Sequence, residues 1–169
     1  LPNLIALDQI RSGDFGKVTS ERVSRDVVLG VVDDPESQSQ FPHVVNLEAR
    51  GGLLFFGTGA SGKTTAVRSV IAEFVRGAEF QQAQVYVLDF AGRALENLRD
   101  VGHIAAVATG DDLEQVTRII QHLQEEVMRR QQLMSTSGSE NFSVFQDKTE
   151  VDSLARILLV LDGMETFAR

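Results

Sequence analysis

The chain has 169 residues, 43% hydrophobic and 24% charged, the composition of an ordinary globular domain large enough to bury a core. It has no cysteine, which excludes disulfides, thiolate zinc sites and a cysteine nucleophile, and its three histidines show no metal-ligand spacing. The formal net charge of −8 weighs against a surface that grips nucleic acid, and no apolar run or opening segment reads as a membrane span or secretory signal.

Residues 1–26 are weakly patterned, and Asp14-Phe15-Gly16 reads as a loop. Val27 to Val32 is an apolar strand closed by the turn residues Asp33-Asp34-Pro35. A polar link, Glu36 to Gln40, leads to a second strand around His43 to Leu47. Gly51-Gly52 then turns the chain into Leu53-Leu54-Phe55-Phe56, which reads as a buried strand. Three strands on short connections predict an antiparallel hairpin or meander.

The next eight residues are Gly57-Thr58-Gly59-Ala60-Ser61-Gly62-Lys63-Thr64, a complete G-x-x-x-x-G-K-T loop. A helix is expected after it, from Thr65 to Phe80, with Val67, Val70, Ile71 and Phe74 at helical spacing and Gly77 as a stop signal. A strand–loop–helix turn of this kind offers consecutive main-chain N–H groups and the positive end of a helix dipole to a polyanion. Glycines at 57 and 62 permit the tight curl. Lys63 supplies an ammonium for the β- and γ-phosphates, and Thr64 a hydroxyl for Mg²⁺. The residues expected to hold a nucleoside triphosphate are therefore Gly57, Thr58, Gly59, Ala60, Ser61, Gly62, Lys63, Thr64 and Thr65.

Further along, Val85 to Asp89 is a second buried strand, Ala91-Gly92 opens a loop, and Ala94 to Arg99 suits a short helix. Ile104 to Ala108 is another short apolar strand. Asp111 and Glu114 fit the N-cap and N3 positions of a long helix, and Leu113, Val116, Ile120, Leu123 and Val127 form its apolar stripe. Arg129 and Arg130 suit its C-terminal end. Ser135 to Glu150 reads as a loop, and Arg156 to Asp162 as the last strand. Strands alternating with helices predict an α/β fold with a mostly parallel sheet, and ligand at the strands' carboxyl ends.

A triphosphate enzyme also needs an acid at the end of a buried strand to hold Mg²⁺. Asp89 and Asp162 both qualify. Asp162, after the longer apolar run, is the favoured metal residue, acting through water; Asp89 is then a nearby polar or switch-like group. Translocating ATPases commonly place Glu directly after that Asp. Here the residue is Gly163, so the usual base is absent; the substitutes are Glu165, two positions on but facing the other way if the strand continues, or a group from a partner chain. Tight nucleotide binding with slow or absent hydrolysis is expected. With Leu at position 1 and Arg169 close behind the last motif, the chain reads as part of a longer polypeptide in which further core strands follow.

Several segments, in order, resemble the FtsK/SpoIIIE-type ATPase modules of type VII (ESX) secretion coupling proteins, EccC or EssC. They are Leu1 to Leu4, Leu29 to Gln38, the Gly57–Thr64 loop, Val85 to Gly92 (with Ala91 and Arg93 as departures), Gly102 to Ala108, and Leu159 to Gly163. The resemblance implies one RecA-like P-loop NTPase module over residues 1–169, preceded by antiparallel strands and cut short at its C-terminus. It implies ATP and Mg²⁺ as cofactors and a cytoplasmic place in a bacterial protein anchored in the membrane elsewhere. Neighbouring ATPase modules, in the same chain or a ring, and small helical secretion substrates are the implied partners. The Asp-Gly ending resembles the later, degenerate modules of the tandem, which look regulatory. The alternative is a DNA-translocating FtsK-type motor, which should show Asp-Glu at 162–163 and a basic pore loop; neither is present in the sequence. A GTPase should carry D-x-x-G, but Glu165 stands where its glycine belongs.

Overall fold

A computed structural model describes residues 5–16, 26–139, 144–145 and 154–167. The Leu1–Leu4 segment and most of 140–153 lie outside the described residues. The chain divides into two units, Leu1–Ala78 and Glu79–Arg169.

In the first unit, helix α1 (Leu7–Arg11) precedes strands β1 (Asp26–Asp34) and β2 (Ser39–Asn46), a short helix α2 (Leu47–Arg50) and helix α3 (Lys63–Val75). β1 and β2 form an antiparallel hairpin running from Asp26↔Asn46 to Asp34↔Ser39. Its turn is organised by Asp34, whose Oδ1 accepts from Glu36 N at 3.1 Å and whose Oδ2 accepts from Ser37 Oγ at 2.6 Å. Pro42 lies in β2 opposite Val31, a placement open to proline in an edge strand. The Asn46 side chain caps α2 by accepting from Ala49 N at 2.8 Å, and Gly51, at φ +74, ends it in a left-handed turn.

The third strand is not there. Residues 51–57 are irregular, and Leu54 and Phe56 are 63% and 86% exposed. An apolar run reports hydrophobicity, but a strand also needs a neighbour for its ladder, and among the described residues β1 and β2 pair only with each other. The α3 helix also stops earlier than Phe80: Arg76 is its C-cap, and Gly77 follows at φ +69.

The buried face of α3 carries Val70, Ile71 and Phe74, and between them a buried carboxylate, Glu73. Arg11 Nε from α1 donates to both Glu73 oxygens at 3.2 and 3.0 Å. Arg76 Nε donates at 2.8 Å, and the Val28 main-chain N–H of β1 at 3.2 Å. Burial pushes the Glu73 carboxyl up, but the Arg11 guanidinium, the Val28 amide and Arg76 together outweigh it and hold it below its ordinary value. One acid thus ties α1, β1 and α3 together.

In the second unit, β3 (Ala83–Asp89), a 3₁₀ turn (Glu96–Asp100), β4 (Ile104–Thr109), helix α4 (Leu113–Ser137), β5 (Arg156–Asp162) and a short helix α5 (Met164–Phe167) follow in order. The three strands are parallel, ordered β4-β3-β5, with β3 buried along nearly its whole length. The expected α/β architecture therefore holds, a parallel sheet plus an antiparallel N-terminal pair. α4 covers the sheet through Val116 and Ile119, packed on Tyr86, Leu88 and Ala108.

The details of α4 differ from the sequence pattern. Its cap is Asp112, accepting from Gln115 N at 3.0 Å, one residue later than expected. Asp111 is instead ion-paired with Arg93. The stripe holds in its middle: Val116 is buried and Ile120 and Leu123 pack against the core, but Ile119 joins them while Leu113 and Val127 are exposed. A 25-residue helix is about 37 Å long, whereas a six-residue strand spans about 20 Å, so roughly half of α4 can lie on the sheet. The helix runs on to Ser137, so Arg129 and Arg130 are not in its last turn and Ser135 does not begin the loop. Both arginines bind Glu126, which they hold down at about 2, the Arg129 hydrogen bond contributing most. Arg130 also donates to the Ala155 carbonyl at 2.8 Å, fastening α4 to the start of β5.

Candidate nucleotide-binding site

The Gly57–Thr64 loop lies in the first unit and leads directly into α3. Ser61 folds over Gly57: a Cβ on Gly57 would sit 2.3 Å from Ser61 Oγ and 3.1 Å from Ser61 Cβ, so glycine here lets the Ser61 side chain keep its place over the loop. Ala60, at φ +59, and Gly62, at φ +87, take left-handed conformations. Gly62 is the N-cap of α3 without a side-chain cap, and no acidic residue occupies the first turn. The first helical bond is Ala66 N to Gly62 O at 2.9 Å, so the amides of Lys63, Thr64 and Thr65 precede the helical ladder. Lys63 Nζ donates to the carbonyls of Gly57 (2.9 Å) and Thr58 (2.7 Å), which keeps the ammonium over the loop. First-turn amides ahead of the helical ladder, a helix dipole and one cation, with no acidic residue in the first turn, make a donor set that fits a polyphosphate.

The two candidate acids lie in the second unit, side by side at the carboxyl ends of β3 and β5, where Asp89 pairs in register with Asp162. Both are buried. Asp89 folds the loop that follows it: Oδ1 accepts from Ala91 N at 3.0 Å and Oδ2 from Leu95 N at 2.8 Å. Leu95 is 0% exposed, so its amide has no route to water. Phe90 N donates to Asp162 O at 2.8 Å, its ring meets Phe167 edge-on at 5.2 Å, and it lies against Gly110. Asp89 is thus the organiser of the 90–95 loop. Arg93, at φ +64 in that loop, is ion-paired with Asp111.

β5 ends at Asp162, and Glu165 stands exposed in the first turn of α5. The continued strand on which Glu165 was to face away does not form. Among the described residues no three His, Asp or Glu side chains converge as a metal site. Tyr86 OH and His122 Nε2 are hydrogen-bonded at 3.0 Å across β3 and α4, and burial, then the Glu126 charge, push the phenol up.

Sequence reasoning missed three of these features. Glu73 had a signal, an acid inside an apolar helical arc. The capping role of Asp89 had one too, as an acid leading a Gly-containing loop. The crowding around Gly163, where an added Cβ would lie 2.7 Å from the Phe90 carbonyl carbon, had none.

The FtsK/SpoIIIE family model matches residues 17–167 of the chain. The chain belongs to the FtsK/SpoIIIE family. Among curated relatives, it is 26% identical over 167 residues to the type VII secretion system protein EssC of Staphylococcus aureus strain MRSA252, a match covering 98% of this chain and 11% of that protein. Among solved structures, the cytoplasmic domain of the Thermomonospora curvata type VII secretion ATPase EccC superposes with a TM-score of 0.77 at 26% identity, covering 84% of this chain and 17% of that one. ATPases 2 and 3 of the same EccC, in complex with a signal sequence peptide, superpose with a TM-score of 0.75 at 26% identity, covering 86% of this chain and 27% of that one. The chain spans about a tenth of the curated EssC it matches. Its fold is that of the ATPase domains of EccC. Among the described residues, no helix is long and apolar enough to cross a membrane.

Proposed function

We propose that this chain is a nucleotide-binding module of a type VII secretion ATPase that binds Mg-ATP and hydrolyses it slowly or not at all. The observation that carries the reading is the Gly57–Thr65 loop, with Lys63 held over its carbonyls at the start of a helix without a side-chain cap. The loop amides would take the phosphate oxygens and Lys63 the β- and γ-phosphates, with the Thr64 hydroxyl as a direct ligand of Mg²⁺. Asp162 would hold the ion through water; Asp89, with both carboxylate oxygens engaged by its own loop, is the weaker candidate. Bound Mg²⁺ would supply neutralisation of phosphate charge.

Hydrolysis needs a group to take the proton of the attacking water as the bond to the leaving ADP breaks. Position 163 has no side chain to offer, and Glu165 stands on an exposed helix turn. Losing such a base lowers a rate by two to four orders of magnitude, about 3–5 kcal/mol. The module's contribution is then regulatory or a docking one. The peptide complex of ATPases 2 and 3 of EccC supports small helical secretion substrates and neighbouring modules as its partners. That relative's description as a cytoplasmic domain supports the same location, with membrane anchorage elsewhere in the full-length protein. The test is the nucleotide recovered after long incubation of the protein with Mg-ATP. Intact ATP is expected; stoichiometric ADP and phosphate, several turnovers per minute, would overturn the reading.

A further inference from the structure

The missing carboxylate after Asp162 is enforced by packing as well as by composition. Gly163 has φ +84, a conformation that side-chain-bearing residues resist. A Cβ there would lie 2.7 Å from the Phe90 carbonyl carbon, 2.8 Å from Ala91 N and 3.0 Å from Phe90 O. All three atoms are main chain and cannot swing aside as a side-chain tip would. The segment is also pinned from several sides. Phe90 N donates to Asp162 O, Ala91 N and Leu95 N donate to the Asp89 carboxylate, and Gly110 lets the Phe90 ring approach to within 2.7 Å of where its own Cβ would be.

We infer that the Phe90–Ala91 main chain, positioned by Asp89, occupies the space of any side chain at 163, so that a catalytic carboxylate cannot be regained there by substitution alone. The activity arm of this inference rests on the Mg-ATP reading above; the packing arm stands without it. Asp89 is a positioning residue in this account, acting on position 163 through its loop.

The experiment compares Gly163→Ala, Gly163→Glu, Asp89→Ala, the Asp89→Ala/Gly163→Ala pair and a control, Gly102→Ala, where an added Cβ meets nothing within 4 Å. Thermal unfolding and Mg-ATP phosphate release are measured on each. Gly102→Ala should unfold with the wild type, while Gly163→Ala and Gly163→Glu should each unfold about 5 °C lower or more, or fail to fold. Gly163→Glu should release phosphate no faster than wild type. In the Asp89→Ala background, Gly163→Ala should lower the midpoint by less than half its shift in the wild type, because a freed loop can yield. A Gly163→Ala midpoint equal to wild type, or a Gly163→Glu protein hydrolysing ATP about tenfold faster, overturns the closed position. Fully additive shifts overturn the role of Asp89. A wild-type protein that binds no ATP would sink the nucleotide reading, and the unfolding midpoints would still decide this one.

Discussion

Asp89→Ala isolates the part of the site that is pure architecture. The substitution removes the acceptor of two main-chain amides, Ala91 N at 3.0 Å and Leu95 N at 2.8 Å. Ala91 is exposed, so water replaces the lost partner and little stability goes with it. Leu95 is fully buried, and its stranded amide costs about 1–3 kcal/mol. Loss of the charge-assisted bonds and of packing brings the total to about 3 kcal/mol. A chain of this size shifts its midpoint by about 2–4 °C per kcal/mol, so unfolding should occur about 6–12 °C earlier. Asp89→Asn keeps one acceptor oxygen and should fall near the middle of that range. Far-UV circular dichroism gives the midpoint, and Tyr86, the single tyrosine, lies in β3 itself and reports locally in the near-UV. An Asp89→Ala midpoint within about 2 °C of wild type would refute the reasoning, since the carboxylate would then not be holding the loop.

Glu73→Gln should destabilise the protein by about 3 kcal/mol by denaturant unfolding, because it leaves the Arg11 guanidinium without its counter-charge. Since the folded Glu73 carboxyl lies below its ordinary 4.5, its stabilisation is present above that value and fades as pH falls through the lowered folded value. Wild type should therefore lose stability on acidification below 4.5, and the Glu73→Gln curve should be flatter in that window. Arg130→Gln should raise the Glu126 carboxyl from about 2 without restoring it fully, because Arg129 remains; a carbon-detected NMR titration reads this directly. Double-stranded DNA should leave the rate of phosphate release unchanged, and a tenfold stimulation would point to a nucleic-acid motor instead.

The glycine-rich loop that opens α3 and the parallel strands were legible because each is local. G-x-x-x-x-G-K-T specifies its own backbone, and runs such as Val85 to Asp89 and Arg156 to Asp162 are apolar along their length and end in an acid. Leu53 to Phe56 carried the same apolar signal and forms no strand, because pairing depends on a neighbour that the pattern does not name. The cap of α4 slipped by one residue for a related reason. Asp111 and Asp112 are chemically equivalent caps, and the choice is made by Arg93, which claims Asp111 from across the loop. The length of its apolar run favoured Asp162 over Asp89; that Asp89 is bonded to Ala91 and Leu95 was not legible, because those partners are main-chain amides of a loop with no spacing signal. The tight contact of Gly163 with Phe90 joins residues far apart in sequence, and no spacing rule reaches it.

The central claim is that the Gly57–Thr65 loop grips the phosphates of ATP, and Lys63→Ala tests it most directly. Among the described residues the half-buried Lys63 Nζ donates to two loop carbonyls, Gly57 and Thr58, that can turn to water instead, so its removal should leave the unfolding midpoint nearly unchanged. An ammonium–phosphate contact contributes about 2–3 kcal/mol, so Mg-ATP affinity by isothermal titration should fall about 30- to 150-fold. A Lys63→Ala protein that binds Mg-ATP as tightly as wild type would contradict the account.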